Sequence, residues 1–193
     1  ISKSDAKKLK LFDYPKVNTE NETQQQILGL NKKDIRGEKE IDYINGFFGK
    51  NYQFRMFVLI FYNKDMEIAT KQRAYWCGGN KNEFIVCLGV DSISNNVQWC
   101  YPFSWQDTPI LETKVKSFYN QNPKLNLTKL GEFIETNIHN SWKRKSFEDF
   151  KYLDIDLTQN QYMWLFLFII LYNIGISIYV VMNNYTNDNS EKK

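Results

Sequence analysis

From Tyr162 to Met182 the chain runs for 21 residues without a charged side chain, and this run limits what the protein can be. At about 1.5 Å per residue such a helix is about 31 Å long, matching the roughly 30 Å hydrocarbon core of a bilayer. Twelve of its residues are Leu, Ile, Phe or Val, each favouring insertion by about 0.3 to 0.6 kcal/mol. Asn173 and Ser177 are its polar side chains, and they subtract less than a charge would. Tyr162, Trp164 and Tyr179 stand toward the ends, where amphipathic rings prefer the headgroup level. The expectation is a single-pass membrane protein with the lipid bilayer as its first partner. The competing reading is a buried core helix, which is usually shorter. Asn173 places one amide near mid-span, suited to pairing with another membrane protein or with a second copy of the chain. Basic residues number four just before the span (Lys143, Arg144, Lys145, Lys151) and two after it (Lys192, Lys193). The count leans toward a cytoplasmic domain and leaves both membrane sides open.

The remaining chain has the size of one domain. Its expected organisation is a polar arm over 1–32, an α/β domain over 33–150, a juxtamembrane linker over 151–161, the span over 162–182 and a polar tail over 183–193. The first forty residues contain no apolar run of signal type. A formal charge of +3, from 25 basic and 22 acidic residues, is too balanced for a nucleic-acid footprint, so no nucleic-acid partner is expected. Cys77, Cys87 and Cys100 are too few for a disulfide framework; one bridge among them is the alternative, and buried free thiols are the better reading. The single histidine, His139, lies far from them, so no zinc spacing occurs.

Within the domain, Ile41, Ile44 and Phe48 recur at helical spacing and predict a helix over 34–48. The run from Phe54 to Tyr62, aromatic and β-branched, predicts a central strand buried on both faces. A short helix over 66–73 follows, with Asn63 or Asp65 as its cap. Trp76 to Asn82 reads as a turn and Glu83 to Val90 as a second buried strand. Beyond a polar turn, Val97, Trp99, Tyr101, Phe103 and Trp105 alternate, which places all five on one face of a third strand. Pro102 puts that strand at an edge. Thr108 and Pro109 start a helix carrying Leu111, Val115 and Phe118, and a last helix over 128–142 presents Leu130, Ile134, Ile138 and Trp142. The fold class is therefore α/β (α+β), a sheet of about three strands covered by helices.

The segment WCGGNKNEFIVCLGVD from Trp76 to Asp91, with FSWQD from Phe103 to Asp107, resembles the TPM domain of bacterial, phage and thylakoid-lumen proteins, whose members often precede a membrane helix. The resemblance spans roughly 33–150. It implies a role in assembling or repairing membrane complexes, divalent-cation binding, or phosphatase activity. It matches an acidic residue at the sheet-to-helix boundary to Asp107. Where members carry an early Arg in the third strand and a Gly-Leu-Glu-Gly stretch, this chain has Val97-Gln98-Trp99 and Pro102-Phe103-Ser104-Trp105.

Three candidate sites follow. Asp91 and Asp107 close strand ends and together offer carboxylate oxygens to Ca²⁺ or Mg²⁺; the plainer roles are a turn former and a helix-start charge. Gly78 to Lys81 has the glycines of an anion cradle, but a strand follows where a phosphate loop has a helix, so a turn is the better reading. Trp99, Tyr101, Phe103 and Trp105 form either a protein-binding face or the inner face of the sheet. His139 has no Ser or Cys partner for a nucleophilic triad, and Lys143 to Lys145 has the charge to lie near anionic headgroups, offset by Glu148 and Asp149. The leading expectation is a non-catalytic module that assists a membrane complex; a metal-dependent phosphatase using Asp91 and Asp107 is the alternative.

Overall fold

A computed structural model describes residues 1–18, 23–106, 108–144 and 157–190. The chain divides into two compact units, Ile1–Ser146 and Phe147–Lys193.

In the first unit, α1 (Lys3–Leu9) and the short strands β1 (Val17–Asn18), β2 (Thr23–Gln24) and β3 (Ile27–Leu28) precede α2 (Ile35–Tyr52) and β4 (Arg55–Tyr62). Then come α3 (Glu67–Tyr75), β5 (Glu83–Val90), β6 (Val97–Ser104), α4 (Pro109–Gln121) and α5 (Leu127–Ser141). The sheet has four strands in the order β3-β4-β5-β6, parallel across the first three and antiparallel at the last. The class expected from the sequence is thus observed, with one strand more. That strand, β3, meets β4 over only two residues, too few to give an alternating pattern.

Alternation along β4 and β5 sends apolar side chains to both faces, because both strands are interior. One face, with Met56, Val58, Ile60, Phe84, Val86 and Leu88, packs under α2, α4 and α5. The other, with Phe57, Leu59, Phe61, Ile85 and Cys87, packs under α3 and the N-terminal segment. The crossovers β3-α2-β4 and β4-α3-β5 step the same way across the sheet yet place their helices on opposite faces. They therefore have opposite hands, one departing from the right-handed rule, a departure associated here with a two-residue first strand.

Several local expectations are corrected. The N-terminal segment, expected as a flexible or loosely docked polar arm, is docked through Phe12 and Tyr14. The Phe12 N–H donates to Gln72 Oε1 at 2.8 Å, and the Gln72 amide and the Trp76 indole N–H both donate to the Phe12 carbonyl. Phe12 also packs on Phe61, with ring centroids 5.0 Å apart. Two aromatic residues docked in extended backbone hold this segment, and no helical period announces them. At α3, neither Asn63 nor Asp65 caps the helix through its side chain; Met66 holds the cap position without one. At α4, Thr108 holds the cap position, but its hydroxyl makes no cap bond.

The aromatic row is corrected too. Gly89 pairs with Trp99 and Val90 with Val97, so Gln98 is an extra residue and the register shifts there. Val97 consequently belongs to the α2–α4–α5 face, while Trp99, Tyr101 and Phe103 belong to the α3 face. Trp105 lies beyond the end of β6. Opposite the bulge the Trp99 indole packs on Gly89, where an added Cβ would overlap its ring atoms. The ring also stacks on Phe61 at 6.1 Å and donates to the Lys64 carbonyl. Gly89→Ala is therefore expected to cost about 1 to 3 kcal/mol, the ordinary range for overpacking, read as a lower urea midpoint at unchanged slope.

The second unit contains α6 (Gln159–Ser190), which extends the expected span at both ends; the expected linker falls largely outside the described residues. Within Gln159–Asn183 its most apolar 18-residue window has a mean hydropathy of 2.4, and none of that window is buried. A core helix would be covered, so the helix is long and apolar enough to span a membrane. Its mid-span polar groups bond along the helix, Asn173 Nδ2 donating to the Ile169 carbonyl and Ser177 Oγ to that of Asn173. Such local bonds reduce the cost of placing these groups in lipid.

Candidate functional site

In sheets with parallel strands, ligands bind outside the carboxyl ends of the strands, so the exits of β4 and β5 are the first place to look. Asp91 stands there, directly after β5. Its Oδ1 accepts the backbone N–H of Ile93 at 3.1 Å, that of Ser94 at 2.6 Å, and the Ser94 hydroxyl at 2.8 Å. These bonds, the Ser94 N–H foremost, hold the carboxyl below its ordinary pKa. Beside it Asn63, in left-handed backbone, exchanges two hydrogen bonds with Ser92 and ties the exit of β4 to that of β5.

The rim is thus closed by turn chemistry. Hard cations require six or more oxygens, and Asp91 brings one carboxylate with one oxygen already engaged. Asp107 lies outside the described residues, and no group of three or more His, Cys, Asp or Glu gathers among those described. Asp91 by itself does not make a Ca²⁺ or Mg²⁺ site.

The glycine pair terminates a helix. Cys77, Gly78 and Gly79 all have positive φ, and their N–H groups bond back to the carbonyls of Ala74, Arg73 and Trp76. No N–H of these three is left to face an anion. A Cβ on Gly78 would also meet the Trp105 ring at 2.9 Å.

The aromatic row is not one open surface. Phe103 is 2% exposed and Trp105 45%, with Trp99 and Tyr101 between them. The Trp105 indole donates to the Cys77 carbonyl, and Arg73 lies 5.9 Å from the Phe103 ring centre. These contacts place the row mainly in the α3-side core, with Trp105 as its accessible end. His139, an exposed residue of α5, bonds the Tyr52 hydroxyl at 2.7 Å and packs edge-on against Phe48. Of the cysteines only Cys87 is fully buried, which pushes its thiol pKa up; Cys100 is half-buried, Cys77 is exposed, and all three are free.

A second polar cluster was not anticipated. Glu83, at the start of β5, is 4% exposed. Its carboxylate accepts bonds from the Tyr14 hydroxyl and from both the backbone and side-chain N–H groups of Asn80. Burial, then the bond to Glu83 and its charge, push the Tyr14 phenol up to about 12. The signal in the sequence is that Glu83 is the one charge in an otherwise apolar strand. Because the folded pKa exceeds the unfolded value, this contribution is complete below pH 10 and is lost as pH rises toward 12. The urea midpoint is expected to fall over that window, and Tyr14→Phe to remove that part of the fall.

The fold and these sites define an α/β domain in a chain that also carries one candidate membrane helix. Searches of family models, curated proteins and solved structures returned no match.

Proposed function

We propose that this chain is a membrane-anchored, TPM-like module that assists the assembly or regulation of a membrane complex without performing catalysis itself. The observation that carries the reading is the uncovered apolar helix over Gln159–Asn183 in the same chain as a well-packed α/β unit. The crossover from β4 to β5 through a Gly-containing turn, followed by the β5–β6 hairpin, supports the TPM-like assignment. The engagement of Asp91 in its turn favours a non-catalytic role over a metal-dependent phosphatase. Trp105 offers an accessible aromatic end where a partner would dock, and Asn173 offers an amide within the bilayer.

Native electrophoresis of mildly solubilised membranes tests the reading. The chain should migrate within an assembly larger than itself, and migration at its own size would count against it. Calorimetric titration of the whole chain with Ca²⁺, Mg²⁺ and Mn²⁺ addresses the alternative. Tight binding abolished by Asp107→Ala would move the phosphatase ahead.

A further inference from the structure

A cleft of about 730 Å³ opens where the C-terminal end of α2 meets the starts of β4 and β5, at the opposite end of these strands from Asp91. Gly46, Gly49, Lys50 and Gln53 form one wall, Arg55 and the turn Asn80–Glu83 the other, and Arg144 completes the lining. We propose that this cleft binds a phosphate-bearing anion.

The charge balance is the first argument. Lys50, Arg55 and Arg144 line the cleft against the single carboxylate of Glu83, which is already engaged by Tyr14 and Asn80. The one ion pair among the described residues is Lys71–Glu67, so Lys50, Arg55 and Arg144 have no described carboxylate within 4.0 Å. Converging cations that do not neutralise one another raise the local concentration of anions.

The second argument is an unpaired donor. Arg144 Nε is buried and has no hydrogen-bond acceptor among the described residues. A buried guanidinium N–H without an acceptor is unfavourable, and an anion in the cleft would supply one. Arg55 is already oriented, its Nη1 donating to Gln24 Oε1 at 2.6 Å. The planar fork of arginine matches phosphate oxygens in pairs, while lysine adds a point charge. The plainer explanation, cations offsetting the carbonyl end of α2, accounts for Lys50, which is in the last turn of that helix. It does not account for Arg55 or Arg144, which lie outside α2. The cleft is a local pocket on a nearly neutral chain, which fits a phosphate group better than a polymer.

The phosphate has two possible sources, a soluble ion or a lipid headgroup, and one experiment separates them. The whole chain is placed in phosphatidylcholine nanodiscs and its arginine Nε–H signals are followed while inorganic phosphate is added. A parallel sample in phosphatidylglycerol nanodiscs receives none. Saturable shifts of the Arg55 and Arg144 signals with inorganic phosphate identify a soluble anion; the same shifts in phosphatidylglycerol alone identify a headgroup. In the source that binds, Arg55→Gln with Arg144→Gln should weaken binding by about tenfold or more. Lys50→Gln, at an exposed position, should weaken it several-fold and decides the matter if the double variant fails to fold. Absence of saturable shifts with inorganic phosphate together with unshifted signals in phosphatidylglycerol, or unchanged affinity in the folded variants, would overturn the proposal.

Discussion

Replacing Asn45 by alanine is expected to destabilise the α/β unit by about 2 to 6 kcal/mol, a large share of the 5 to 15 kcal/mol typical of a domain. The reason lies at the open edge of β4. Strand β3 covers that edge only at Val58 and Leu59, which leaves the backbone of Met56 without a strand partner there. Asn45, buried on α2, takes the place of the missing strand. Its Oδ1 accepts the Met56 N–H at 2.6 Å, and its Nδ2 donates to the Met56 carbonyl at 2.9 Å. The same amide nitrogen donates to Gln26 Oε1 at 2.7 Å, linking the helix to the segment entering β3. Alanine would leave two buried backbone groups unpaired, each costing about 1 to 3 kcal/mol. Asp42→Ala, an exposed change on the same helix, should stay within about 0.5 kcal/mol. Urea unfolding followed by tryptophan fluorescence gives both values. A loss below about 1 kcal/mol for Asn45→Ala would show that water or a local shift satisfies Met56 instead.

The second large effect concerns α6. Twelve Leu, Ile, Phe and Val residues between Tyr162 and Met182 together favour insertion by about 4 to 7 kcal/mol. An arginine near the centre of a span costs about 2.5 to 3.5 kcal/mol and also removes the favourable residue it replaces. The pair Leu171→Arg and Ile174→Arg therefore shifts the balance by about 6 to 8 kcal/mol, enough to cancel it. The expected result is that this variant leaves the membrane fraction on alkaline extraction. Asn183→Lys, at the end of the apolar stretch, should remain, because a lysine there reaches the headgroup layer. The unfolding midpoint of the α/β unit should be the same in both, since it forms a separate compact unit.

What the sequence disclosed follows from the strength of its periodic signals. The interior strands β4 and β5 were legible as continuous apolar runs, and α5 through Leu130, Ile134 and Ile138, all fully buried. The edge assignment of β6 followed from Pro102, and the structure places β6 at the edge. Features set by single residues were hidden. Strand β3 has two residues, Phe12 and Tyr14 dock without a period, and the bulge at Gln98 reverses the face of Val97 although the sequence alternates without a break. At the candidate sites, sequence reasoning marked Asp91 by residue type but not the three donors around it. The lining of the basic cleft is drawn from three separate stretches of chain, a juxtaposition that only the fold produces.

The central claim is that a stably folded α/β unit is carried on a membrane-spanning helix. It is tested most directly by comparing the full chain with one lacking residues 157–193 after alkaline extraction of membranes. The full chain should stay with the bilayer, and the shortened chain should appear in the soluble fraction with the cooperative unfolding transition intact. A shortened chain that remained membrane-bound, or a full chain that was extracted, would contradict the account.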